Sequence, residues 1–470
     1  MERTENRVNG ITEGVIWKQL LIFFFPIMLG TFFQQLYNTV DAVVVGQFVG
    51  KEALAAVGGT TGTILNLLTG FFVGLSSGAT VIISQYYGAR RPAETSLAVH
   101  TSVALGIAGG LLFTVVGLLF SPVALRIMGT PEEIMDHALA YIRIYFAGMV
   151  FNLVYNMGAG ILRAVGDSKR PLYFLIFSTL LNVALDLLFV VAFQMGVVGA
   201  AVATILCQAI SAVLVLFTLM RSDDVYRVIL REIRFHLPIL RDIIRIGLPA
   251  GLQSVVYNIS NMIVQSAINS FGTNVIAAWT AYGKIDGIFW MIMGAFGTSA
   301  TTFAGQNFGA QKYDRIRKSV RICTAMAMAA AVLITTVVLV FGPVIFRIFT
   351  PDDEVVARGM EIVRYLAPFY FTYVCIEVIS GTVRGAGDSL YPMIMTCLGV
   401  CVGRVLWLLL VVPQHHTVQM VTAGYPLSWA LTSLLFILYY LHGGWLRRSA
   451  AKAGLPPPPE KSKKTGQAAL

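Results

Sequence analysis

Charge is scarce in this sequence. Asp, Glu, Lys and Arg together make up 12% of its 470 residues, whereas a soluble domain carries about 25%. Cysteine is scarce too: Cys207, Cys323, Cys375, Cys397 and Cys401 all fall in apolar segments. Buried thiols are the default there, and no disulfide framework follows. Cys397 and Cys401 are i, i+4 neighbours, but two ligands on a lipid-embedded helix make a poor metal site. Catalytic signatures are missing as well. There is no Gly-x-x-x-x-Gly-Lys-Ser/Thr loop for ATP and no His-Glu-x-x-His pair. No Ser-His-Asp set can be argued from spacing, and His415 and His416 fall in a loop. The chain is expected to be no enzyme and to need no cofactor. The polar first dozen residues, followed by a long span, do not resemble a cleaved signal peptide.

What the chain has is apolar length. It is 56% hydrophobic, in continuous runs rather than the alternation of a barrel. A helix needs roughly 20 apolar residues to cross a bilayer. Twelve spans are expected: 17–44, 53–78, 95–119, 138–160, 171–193 and 197–220, then 242–270, 275–300, 318–346, 361–382, 391–412 and 420–445. The 44 glycines suit close packing of membrane helices. The fold class is all-α membrane protein, with two six-helix lobes around a central cavity. The lobes would be 1–220 and 242–446. The connector 221–241 repeats Val225, Ile229, Ile233 and Leu237 every four residues, which predicts an amphipathic helix on the membrane face. The segment 447–470 is expected to be a disordered tail.

The formal net charge of +10 gathers in alternate gaps between spans. Arg90 and Arg91, Lys169 and Arg170, five arginines from Arg227 to Arg245, and Lys312 to Arg321 are examples. The other gaps hold little more than Lys51, Arg126 and Arg347. That is the positive-inside pattern. It implies a multi-pass protein of the cell membrane with both termini cytoplasmic. The basic residues would meet anionic lipid, not nucleic acid.

The chain also repeats itself. Arg163-Ala-Val-Gly166-Asp167-Ser168 and Pro171 return 221 residues later as Arg384-Gly-Ala-Gly387-Asp388-Ser389 and Pro392. Gln85, Gly88 and Ala89 return as Gln306, Gly309 and Ala310 with the same offset. Pro26 and Asn38 pair with Pro249 and Asn261. Two similar lobes are what an alternating-access carrier needs. In the Arg-x-x-Gly-Asp-Ser stretches, Gly and Asp predict a tight turn before a Pro-started helix. Arg163 and Arg384 are expected to pair with Asp167 and Asp388 and lock the turns, away from substrate.

Ionisable residues inside spans are costly and mark ion paths. Asn38 and Asp41 are i, i+3, and Asn182 and Asp186 are i, i+4, so each pair shares a helical face. Carboxylates there can carry a proton, or with amide oxygens hold Na+, for which Asp41 and Asp186 are the candidate ligands. The second lobe lacks this set. It has Lys284, Asp286, Glu377 and Arg404, readable either as structural ion pairs or as substrate contacts. Further cavity candidates are Gln34, Tyr37, Phe151, Tyr155, Gln253, Tyr257, Asn258, Trp290 and Met293, whose aromatics suit cations.

These residues resemble the multidrug and toxin extrusion (MATE) family. The resemblance runs from about Lys18 to Leu446. It rests on Pro26, the Asn38-x-x-Asp41 face, Val45-Gly46, Gln85 through Ala89, the Gln306–Ala310 repeat and both Arg-x-x-Gly-Asp-Ser motifs. The family implies two lobes in a V and efflux driven by a proton or sodium gradient. Asn182 and Asp186 resemble the prokaryotic branch with an N-lobe cation site, to which Asp41 belongs. Asn156 and Thr204 match neighbouring polar positions. The expectation is a monomeric antiporter exporting organic cations or amphipathic drugs for H+ or Na+. The rival is a flippase for lipid-linked precursors, whose more cationic cavity would here have to come from Lys284 and Arg404.

Overall fold

The computed structural model describes residues 10–459, and all regular structure among them is helical. Twelve helices of membrane length run in series. In the first lobe they are α1 Ile16–Phe48, α2 Lys51–Gly88, α3 Pro92–Ile127, α4 Glu132–Ala147 with Met149–Ala164, α5 Lys169–Ala192 and α6 Gly196–Met220. In the second they are α7 Leu237–Asn269, α8 Thr273–Gly309, α9 Tyr313–Phe349, α10 Asp353–Gly385, α11 Leu390–Leu410 and α12 Val418–His442. α4 bends by 49° at Gly148. α7 is the least apolar, because Arg241, Asp242 and Arg245 crowd its start and Gln253, Asn258 and Asn261 follow. Most helices outrun the expected spans. Their polar end turns continue the backbone hydrogen bonding beyond the apolar window. Outward faces carry exposed Leu111, Leu119, Leu333 and Val340, as lipid contact requires.

The two lobes lock together at the basic end, where Arg90, Arg163, Lys312 and Arg384 gather. The start of α1 packs into the second lobe, with Phe24 stacked on Phe296 at 4.2 Å. The start of α7 returns the favour, burying Ile239, Ile243 and Ile246 among residues of α2 and α3. α2 and α7 cross through Gly74-x-x-x-Gly78 and Gly247-x-x-x-Gly251. An added Cβ on any of these four would strike the facing helix, the close approach that small residues permit.

The repeated motifs are the fastening. Gln85 Nε2 donates to the Gly385 carbonyl at 2.8 Å, and Gln306 Nε2 donates to the Ala164 carbonyl at 2.6 Å. Donors and acceptors are both related by the 221-residue repeat, so each lobe's glutamine caps the other's helix end. Those ends have matching backbones. Gly166 has φ +95° and Gly387 φ +91°, left-handed values that close a helix C-terminus and favour glycine. The turn from Gly10 to Glu13 lies over the same seam. Glu13 meets Arg90 at 3.0 Å and Lys312 at 3.9 Å, one from each lobe.

Two expectations are corrected. The connector is not one amphipathic helix: 221–236 is an extended strap with one 3-10 turn at Leu230–Glu232, and 237–241 begin α7. Its period-four residues do not form one buried face. Ile229 and Leu237 are exposed, and Tyr226 and Val228 are buried instead. His100 of α3 pins the strap. Its Nε2 accepts from the Ile229 N–H at 2.9 Å, while Nδ1 lies 2.7 Å from the Ser96 carbonyl. The second correction concerns the tail. Trp445–Lys452 is helical and docked, with Trp445, Leu446 and Ala450 buried. Residues 460–470 of the expected tail lie outside the described residues.

His100→Ala tests the strap. It leaves the Ile229 N–H without its partner, at a cost of about 1–3 kcal/mol. A thermal unfolding scan of the purified protein should show the midpoint fall by a few degrees, and an unchanged midpoint would remove His100 from this role.

Candidate functional site

Two polar chambers stand out, joined by α1. The first lies inside the N-terminal lobe. Asp41 of α1, Asn182 and Asp186 of α5, and Thr204 of α6 are all buried, at 5%, 0%, 0% and 2% exposure. Spacing along α5 puts Asn182 and Asp186 on one face, and that face meets α1. The Asp41 side chain interacts with both Asn182 and Asp186. Thr204 Oγ1 donates to Asp41 Oδ2 at 3.0 Å. The remaining oxygens are unmet. Asp41 Oδ1, both Asp186 carboxylate oxygens and both amide atoms of Asn182 are buried, and none makes a hydrogen bond of good geometry among the described residues. Immediately after Asp186 the helix widens into a π turn, Leu187–Ala192, a distortion that recurs at functional sites.

Two adjacent buried carboxylates repel each other unless a proton or a cation joins them. The oxygens left over, together with Thr204 Oγ1, form a hard-oxygen set that accepts either. Tyr37, expected in the cavity, belongs here. Its hydroxyl is buried with no hydrogen bond of good geometry among the described residues, and it is an electrostatic neighbour of Asp41 and Thr204. Sequence reasoning did not single out Tyr141 and Tyr145, which also stand beside Asp41.

The second chamber is the cavity between the lobes, about 480 Å³ in volume. Sites for small molecules run from about 300 to 1,000 Å³. Of the expected lining residues, Gln34, Tyr155, Gln253, Tyr257, Asn258, Trp290 and Glu377 do line it. Asn156 lines it as well, and so is placed in this wall rather than with Asp41; its amide bonds Asn152 at 2.9 Å. Asn38, Lys284, Asp286, Arg404, Phe151 and Met293 lie outside the lining. Asn38 and Lys284 are exposed, and Met293 is wholly buried in the second lobe's core. Trp290 and Tyr373 meet edge to face at 4.7 Å. Tyr373 OH donates to Glu377 Oε2 at 3.2 Å, so an aromatic wall surrounds one carboxylate.

Asp286 and Arg404 belong to the second lobe's interior. Asp286 accepts from Tyr370 OH at 2.7 Å, Tyr282 OH at 3.1 Å and Trp290 Nε1 at 2.6 Å. Three donors hold it in place. Arg404, 1% exposed, lies over the Tyr425 ring at 3.8 Å and donates to Asn261 at 3.3 Å. Both lie just behind the cavity wall, Asp286 bonded to Trp290 and Arg404 5.9 Å from the Tyr257 ring.

The expected pairing of Arg163 with Asp167, and of Arg384 with Asp388, is corrected. Asp167 Oδ1 instead accepts from the Lys169 and Arg170 N–H groups at 3.1 Å each, and the Asp167 carboxylate pairs with Arg170 at 3.2 Å. Asp388 accepts from Tyr439 OH. With those acids engaged, both arginines turn into the cavity.

Comparison with known proteins follows this architecture. The MatE family model matches residues 26–188 and 249–409, one segment in each lobe. "Probable multidrug resistance protein YpnP" of Bacillus subtilis is 31% identical over 92% of this chain and 97% of its own. Among solved structures, a MOP superfamily transporter from Pyrococcus furiosus, whose reversed pocket polarity was said to suggest a different function, superposes with a TM-score of 0.86. It is 25% identical over 94% of this chain and 98% of its own. An outward-facing multidrug resistance MATE family transporter superposes at 0.85, with 24% identity over the same shares. Matched in both lobes by the family model, and nearly end to end by a curated relative, this chain is a transporter that belongs to the MatE family.

Proposed function

We propose that this protein is a secondary active antiporter of the cell membrane. It exports organic cations or amphipathic compounds in exchange for H+ or Na+. The observation that carries this is the buried Asp41–Asp186 pair with its unmet oxygens. Such a pair holds a cation in one state and must release it in another. The pocket and the cavity share one helix. α1 contributes Gln34 to the cavity wall and Asp41 two turns further on. Pro26 removes a hydrogen bond from the middle of α1, so the helix can bend there. Filling the pocket therefore alters the cavity, which is the coupling antiport requires. The basic end is cytoplasmic on this reading, both termini face the cytoplasm, and one chain with two lobes suffices as a monomer.

The test is ethidium efflux from loaded cells under an imposed pH or sodium gradient. Efflux should follow one gradient and stop when that gradient is collapsed. Efflux indifferent to both would sink the antiport reading. A second reading, flipping of a lipid-linked precursor, gains support from Arg163 and Arg384, which give the cavity more positive than negative charge. Translocation of a labelled lipid by the reconstituted protein would favour it.

A further inference from the structure

The charged residues lining the cavity are Arg163, Arg384 and Glu377. The excess is positive, and it sits at the closed, basic end. The Arg163 guanidinium makes no hydrogen bond or ion pair with any described residue; its electrostatic neighbour is the Tyr155 hydroxyl. Arg384 has Glu377 for a charged neighbour. It spends one nitrogen on neutral acceptors, Gln253 Oε1 at 3.3 Å and Ser380 Oγ at 3.5 Å. Its Nε is buried with no hydrogen-bond partner among the described residues. The hydroxyls of Tyr155 and Tyr257, in the same wall, are also buried and unpartnered. Each of these groups can donate. The wall's one carboxylate, Glu377, stands beside Arg384, so the second positive charge has no anion opposite it.

We propose that Arg163 and Arg384 form an anion subsite at the basic end of the cavity, which receives the phosphate or carboxylate of an amphipathic substrate. The guanidinium fork matches either oxyanion in two-pronged fashion. The substrate's apolar body would lie along Trp290 and Tyr373. One arginine comes from each lobe, and each directly precedes a carbonyl of the inter-lobe fastening, Ala164 or Gly385. An anion between them ties the lobes at the closed end. The proposal rests on the reading that this cavity is the transport path, and it narrows the substrate class within that reading.

The experiment is equilibrium binding of 1-naphthyl phosphate to the purified full chain in lipid nanodiscs. Wild type should bind it, and Arg163→Gln and Arg384→Gln should each bind about tenfold or more weakly, the loss expected for one charge-assisted bond. Arg163→Lys should recover part of that loss. Arg170→Gln removes a charge from the same end, outside the cavity, and should change nothing. Unfolding midpoints confirm that the variants fold. Displacement by phosphatidic acid but not phosphatidylcholine would assign the anion to a lipid headgroup, and displacement by neither to a soluble compound. Wild type that binds ethidium but no naphthyl phosphate overturns the subsite. So does Arg163→Gln binding as tightly as wild type. Binding without movement in proteoliposomes would instead overturn the transport reading and leave the subsite standing.

Discussion

Asp41→Asn should reduce gradient-driven transport to background while the protein still reaches the membrane at its normal level. The substitution is nearly isosteric. It keeps an oxygen for the Thr204 bond of 3.0 Å, so the helix contacts persist. What it removes is the charge that lets the pocket attract a cation or proton. Asp186 is left as the pocket's one acid beside the Asn182 amide, so the pair is broken. Thr204→Ala should be milder. It deletes one hydrogen bond to a charged group, roughly 1.5–3 kcal/mol, and should weaken ion affinity about tenfold to a hundredfold. Efflux is measured as initial rate against the gradient that drives wild type, with membrane level checked by immunoblot. Asp41→Asn that still transports at normal level would take Asp41 out of the coupling.

How much of this could be read from the residues depended on how local the signal was. The spans were legible because each helix must satisfy its own backbone in lipid. A continuous apolar run therefore becomes a helix whatever surrounds it. The connector 221–241 was not, because its shape is set by tertiary partners, His100 and Thr101 on α3. The period-four pattern of Val225, Ile229, Ile233 and Leu237 had no single surface to cover. Asn182 and Asp186 were legible as i, i+4 neighbours on one face, but that Asp41 meets them depends on how α1 packs on α5. Arg163 and Arg384 were misread for a physical reason. An acid four residues away invites a local ion pair, yet the Asp167 carboxylate is taken by the first turn of α5. A usable signal existed. Arg163 and Arg384 repeat at the 221-residue offset, whereas Asn182 and Asp186 meet Gly403 and Trp407.

Gly309→Val should also bring transport to background, by a different route. At this position α8 rests on the end of α2 of the other lobe. A Cβ there would overlap the Gln85 carbonyl, and one on Gly88 would overlap the Gln306 backbone. The obstruction is main chain on both sides, so no side-chain rotation relieves it. The lobes would have to part. Parting also breaks the two glutamine bonds, Gln85 to Gly385 and Gln306 to Ala164. Overpacking costs about 1–3 kcal/mol, and each lost bond adds about 0.5–1.5 kcal/mol. The total approaches the roughly 5.5 kcal/mol that inverts a 99:1 population. The carrier would then dwell with its basic end open and fail to complete a cycle. Ser77 reports this directly, since it lines the cavity. In a background without the native cysteines, Ser77→Cys should be slow to react with an impermeant thiol reagent applied from the basic side. With Gly309→Val it should react at least about tenfold faster, and Gly88→Val should reproduce the effect from the other lobe. The double variant Gln85→Ala with Gln306→Ala keeps the close approach but loses the bonds, so its labelling should fall between. Unchanged labelling in Gly309→Val, with transport lost, would mean that the contact serves folding and not closure.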